Sequence, residues 1–169
     1  KNVDFLIKCM NSLTKTHKKS VHFLVIGTGS NEYVNYLKGI VRELQLESSI
    51  SFLGFVSDPL ELISGLDILV ASSTRDAFGR TIIEAMLQST PVLAANKGGH
   101  LEIVEDEWDG LLYEANNENS FIEKAIRLIE DKYFREALAI RGLEKSVSEY
   151  SKNRLFLEID KIYKSVTEC

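Results

Sequence analysis

Short, continuously apolar runs alternate with helical periodicity along this chain, and that alternation restricts its fold more than any other feature. The runs are Val21–Ile26, Ile50–Leu53, Asp67–Ala71, Pro91–Ala94 and Leu111–Tyr113. Between and after them, apolar residues recur at helical spacing. Residues 3–18 place Val3, Leu6, Ile7, Met10 and Leu13 on one face, and 31–46 do the same with Val34, Leu37, Ile40, Val41 and Leu44. A helix is also predicted from about Arg80 to Gln88 and a short one at 100–104. Three more follow at about 119–131, 133–148 and 152–167, the last with Leu155, Ile159, Ile162, Tyr163 and Val166 on one stripe. Strands that are apolar on consecutive residues are buried on both faces, which implies a parallel sheet with helices on each side. The predicted class is therefore α/β: one doubly wound, Rossmann-like domain. Ligands in such sheets sit beyond the carboxyl ends of the strands. Four loops fall there: Gly27–Ser30, Gly54–Asp58, Ser72–Gly79 and Asn96–His100.

Composition bounds the remaining choices. With 169 residues, 44% hydrophobic and 27% charged, the chain suits one domain with a full core. It shows no initiator methionine, no signal peptide and no apolar run near transmembrane length. We expect a piece of a longer protein working in the cytoplasm. A net charge of −5 argues against nucleic acid, whose backbone needs a basic surface. Residues 1–20 carry five lysines against one aspartate, whereas 101–131 carry ten acids against two bases, which reads as a solvated acidic flank. Two cysteines, Cys9 and Cys169, make neither a disulfide framework nor a metal site, and Cys9 is expected to be a buried thiol. His17, His22 and His100 lack metal-ligand spacing, so no metal is assigned.

Chemistry concentrates between Arg75 and Gln88. Gly79, Arg80 and Thr81 stand where a helix begins after a strand, with carboxylates eight residues apart: Asp76 before the start and Glu84 inside it. Free N–H groups and the positive end of the dipole favour phosphate at such a terminus. Carboxylates on either side can accept from sugar hydroxyls. A diphosphate flanked by hydroxyls describes a nucleotide sugar. Plainer readings stand beside this one. Asp76 is equally a helix cap, and Glu84 shares an arc with Thr81 and Gln88 that an ordinary solvent-facing glutamate would occupy. Gly98-Gly99 permits close backbone approach or simply makes a turn. Gly27-Thr28-Gly29 suggests a dinucleotide loop, but Glu32 replaces the third glycine and Ile50–Leu53 does not end in a ribose-binding acid. Nicotinamide is therefore not expected.

Read in order, the motifs resemble those of the C-terminal, donor-binding domain of retaining GT-B glycosyltransferases, in the group related to glycogen synthase and sucrose synthase. They are Lys1–Asp4, Val25–Gly29, Phe52–Val56, Asp67–Val70, Phe78–Met86, Thr90–Ala94, Gly98-Gly99 with Glu102–Val104, and Asp109–Leu112. The resemblance implies roles position by position. Glu84 matches the glutamate on the nucleotide ribose, and Asp76 the one on donor-sugar hydroxyls, here one methylene shorter. The amides of Arg80 and Thr81, beside Phe78 and Gly79, match the phosphate site. Lys1 matches the lysine facing the diphosphate, whose arginine partner would precede this chain. Phe55 and Val56 lie in the base-recognition loop, and Gly27 and Gly29 in the first glycine turn. The donor would be linked to UDP, GDP or ADP, and no cofactor or metal is implied.

The resemblance also implies that a glycan, lipid or protein acceptor belongs to an N-terminal domain outside this chain. Peripheral contact at the inner membrane face stays open. It implies five strands here against six in the complete domain. Two other functions are compatible with the same residues: a nucleotide-sugar epimerase and a catalytically silent binding module. An interaction domain without a ligand completes the alternatives.

Overall fold

The computed structural model describes residues 1–151 together with Arg154, Ile159, Asp160 and Tyr163. Helix α1 (Val3–Asn11) runs into a π-helical turn (Ser12–Thr16), then β1 (Phe23–Ile26), α2 (Asn31–Glu43), β2 (Ile50–Gly54), α3 (Pro59–Ser64) and β3 (Leu69–Ala71). Then come α4 (Arg80–Leu87), β4 (Val92–Ala95), α5 (His100–Ile103), β5 (Leu111–Tyr113), α6 (Glu118–Glu130) and α7 (Lys132–Glu149). The helix predicted over about 152–167 falls almost entirely outside the described residues.

Local chemistry sets several of these boundaries. The first helix was expected to reach residue 18 as one α-helix. Instead Thr14 Oγ1 donates back to the carbonyls of Met10 (2.8 Å) and Asn11 (3.2 Å), where the regular ladder gives way to the π turn. Asp58 caps α3 with Pro59 behind it, and Asp131 accepts from Phe134 N–H at 2.9 Å, separating α6 from α7.

All strand pairs are parallel: β1 with β2, and β3–β4–β5 in register Leu69 to Val92 and Leu93 to Leu111. Strand β4 has every residue buried. Leu93 and Ala95 face a cluster built from α1, α2, α6 and α7, including the Phe5, Tyr113 and Phe121 rings. Val92 and Ala94 face a second cluster with Ile82, Ile83 and Met86 of α4 and Ile103 of α5. Both faces are covered, as the doubly wound class requires. Cys9 lies wholly buried, and desolvation, aided by the charge of Glu118, pushes its thiol up to about 12.

Strand β1 departs from expectation. Its apolar run predicts full burial, yet all four residues are only half buried. Among the described residues no ladder joins β1 to β3, and the sheet divides there into two and three strands. A cavity lies between them, walled by Leu24, Val25, Ile68 and Val70 and floored by Leu6.

Candidate functional site

The four predicted loops emerge at the carboxyl edge, where a parallel sheet presents its ligand-binding crevice. Gly27 N–H donates to Gly54 O at 2.8 Å, tying the first glycine turn to the loop that carries Phe55 and Val56. Phe55 is 78% exposed. After β3 the chain runs through Ser72 and Ser73, both buried, to Gly79. Gly79 takes a left-handed conformation (φ +82°) and opens α4 without a side-chain cap. The N–H groups of Arg80 and Thr81 therefore have no intrahelical partner, and the positive end of the helix dipole faces the crevice.

Two glycines lock this loop to the next. Gly99 N–H donates to Asp76 O at 3.0 Å. A β-carbon on Gly98 would stand 2.6 Å from that same oxygen, and one on Gly99 would stand 2.5 Å from Ala77 O. Only glycine lets the 96–100 loop lie against backbone at 76–78.

The result holds Asp76 in place. Its carboxylate accepts from Lys1 Nζ at 2.8 Å on both oxygens, while Ser72 Oγ donates to Lys1 O at 2.7 Å. Burial raises the Asp76 pKa, but hydrogen bonding and attraction from the Lys1 ammonium, with a hydrogen bond to Ser73, outweigh it, and the carboxyl lies below its ordinary value. His100 sits beneath, its side chain 1% exposed, with Nδ1 on Ala95 O at 3.0 Å. Its Nε2 is 3.8 Å from Asp76 Oδ2, too far for a hydrogen bond, and has no partner among the described residues.

Lys1, Ser72, Ser73, Asp76, Gly79, Thr81 and His100 all line one cavity of about 250 Å³, which continues down between β1 and β3. That is smaller than a drug-sized ligand site, so this chain does not enclose a whole donor. Glu84 stands apart from the cavity, half buried, and pairs with Arg80 at 3.3 Å. Phe78 meets the ring of Tyr150 edge-on. Gly27, Gly29, Phe55 and Val56 share the carboxyl edge but do not line the cavity. His100 was not among the residues singled out for binding. The local signal for it was the Gly98-Gly99 pair preceding it, which a count of metal-ligand spacings passes over.

The chain is thus a doubly wound α/β domain with an anion-favouring helix mouth beside a carboxylate at its carboxyl edge. Residues 1–145 match the glycosyl transferases group 1 family, and the chain belongs to it. An uncharacterised glycosyltransferase of Methanocaldococcus jannaschii is 30% identical over 170 residues, covering 99% of this chain and 43% of the relative. The chain thus spans less than half of the curated relatives it matches. Among solved structures, Anabaena HepE in complex with UDP-glucose is similar with a TM-score of 0.86 at 27% identity, covering 95% of this chain and 44% of that one. The C-terminal domain of a group 1 glycosyl transferase (LpcC) from Francisella tularensis has a TM-score of 0.78 at 27% identity, covering 90% and 80%. The fold is that of GT-B glycosyltransferases.

Proposed function

We propose that this chain is the donor-binding half of a retaining glycosyltransferase, which moves a sugar from a nucleotide-diphospho-sugar to an acceptor in glycan, polysaccharide or glycolipid synthesis. One observation carries the reading: Lys1, Asp76 and the open mouth of α4 converge on a single cavity at the carboxyl edge. The amides of Arg80 and Thr81 hold the phosphates, and Lys1 turns from Asp76 to the diphosphate. As the glycosidic bond breaks, charge grows on the departing diphosphate, and a preorganised helix end plus an ammonium stabilise it without reorganisation. Asp76 accepts from donor-sugar hydroxyls and so fixes the anomeric carbon, a positioning effect. Glu84 accepts from the ribose hydroxyls once Arg80 releases it, and the Gly27–Gly29 and Phe55–Val56 turns border the base.

The strand order β2–β1, then β3–β4–β5, matches the doubly wound order 3-2-1-4-5-6 without its first strand. In our reading a sixth strand and the acceptor domain come from the rest of the protein, so this chain alone binds donor weakly and transfers little. Calorimetry with UDP, GDP, ADP and their sugar conjugates tests the donor site, and NMR of the product anomer tests retention. Binding of none of these nucleotides, or vigorous transfer by the 169-residue chain alone, overturns the reading.

A further inference from the structure

Within the donor site, His100 is the polar group that the assigned roles leave unused. Its Nδ1 lies 3.0 Å from the carbonyl of Ala95, which can only accept, so Nδ1 carries the proton. In the neutral ring Nε2 is then a bare lone pair. That atom is buried and without a hydrogen-bond partner among the described residues, and its residue lines the cavity shared by Lys1, Asp76 and Thr81. The ring is held from above, because a β-carbon on Gly79 would already stand 3.1 Å from its Cδ2. A buried acceptor without a donor is costly, and a ligand that supplies one recovers the cost.

The neighbour narrows the ligand. Asp76 Oδ2 stands 3.8 Å from Nε2, and two acceptors side by side cannot satisfy each other. Lys1 and the mouth of α4 offer a phosphate its donors elsewhere in the cavity, whereas Nε2 and Asp76 offer only acceptors. Among the described residues no third His, Cys, Asp or Glu joins them to hold a metal. Two hydroxyls on adjacent ring carbons fit, one donating to each acceptor.

Resting on the nucleotide-sugar reading, we propose that His100 Nε2 and Asp76 form a paired acceptor for adjacent hydroxyls of the donor sugar, with His100 the specificity-determining member. The probe is whichever of UDP-glucose, UDP-N-acetylglucosamine, GDP-mannose and ADP-glucose the full-length protein binds, set against its bare nucleotide. His100→Leu should lower affinity for the sugar nucleotide about five- to tenfold and leave the bare nucleotide unchanged. His100→Gln, whose amide oxygen can reach the place of Nε2, should restore part of the loss. Deoxy analogues give the sharper result: one position costs the wild type that same factor and costs His100→Leu nothing. In the wild type, the 15N resonance of Nε2 should move with the sugar nucleotide and stay put with the bare one. Equal losses for both ligands, a deoxy series that penalises variant and wild type alike, or an unmoved Nε2 resonance overturns the histidine assignment alone. Failure of every nucleotide to bind overturns the donor reading with it.

Discussion

Strands β4 and β1 are composed alike, Val-Leu-Ala-Ala against Phe-Leu-Val-Ile, yet one is fully buried and the other is half open. The difference lies in their neighbours. β4 has a hydrogen-bonded strand on each side and a helical layer on each face, whereas among the described residues β1 pairs only with β2, and its other edge borders the place that the order 3-2-1-4-5-6 gives to the strand we assign to the rest of the protein. Apolar composition thus reports the capacity to be buried, and flanking elements decide whether it is used. The contrast extends to function. The three-stranded half, β3–β4–β5 with α4 and α5, carries Asp76, Gly79, Thr81 and His100. The two-stranded half contributes the turns at Gly27 and Phe55, which stand outside the cavity.

The same substitution in each half provides the strongest test. Leu93→Ala in β4, where the side chain is 1% exposed, should cost about 3–4 kcal/mol in urea denaturation. Leu24→Ala in half-buried β1 should cost about 1–2 kcal/mol, since less contact is lost. Equal losses would break the comparison. A similarly large effect is expected at Asp109, whose side chain is wholly buried, accepting from Glu105 N–H at 2.9 Å and Lys145 Nζ at 2.6 Å. Asp109→Ala removes the acceptor of both donors and should cost about 3 kcal/mol, read from the same denaturation curves.

Smaller effects sharpen the functional side. Asp76→Asn keeps shape but removes the charge, so affinity for a sugar nucleotide should fall about tenfold or more while that for the bare nucleotide stays. Calorimetry that finds equal losses would reduce Asp76, which does not cap α4, to a structural partner of Lys1. Glu84→Gln should weaken the bare nucleotide several-fold, and an unchanged affinity in a folded variant removes the ribose role. The smallest effect is on pH. Because the Asp76 carboxyl is held below its ordinary value of 3.8, its pairing with Lys1 contributes stability above that pH and loses it as pH falls below. Lys1 is 69% exposed, so solvent weakens the pair. Urea midpoints between pH 3 and 6 should decline more steeply for the wild type than for Asp76→Asn.

Much of this arrangement was legible in the residues, because the signals are local. Apolar runs marked all five strands, and Gly79 before an amphipathic segment marked the mouth of α4. Lys1 was placed at the diphosphate only through the family resemblance, and its contact with Asp76, 75 positions away, is seen only in the structure. Other expectations went astray. The first helix, read from periodicity as one α-helix to residue 18, ends at Asn11 and gives way to a π turn. His100 was set aside as scattered, because nothing in a linear chain shows that residue 100 lies beneath residue 76.

The order of elements, the parallel class and the position of the anion-favouring helix end followed from the chain alone, since hydrophobic period and glycine placement act over a few residues. Tertiary structure alone decided which acid shares a cavity with Lys1 and where a histidine loses its water. Those outcomes depend on distances between segments far apart in the chain, and it is packing of whole elements that sets them.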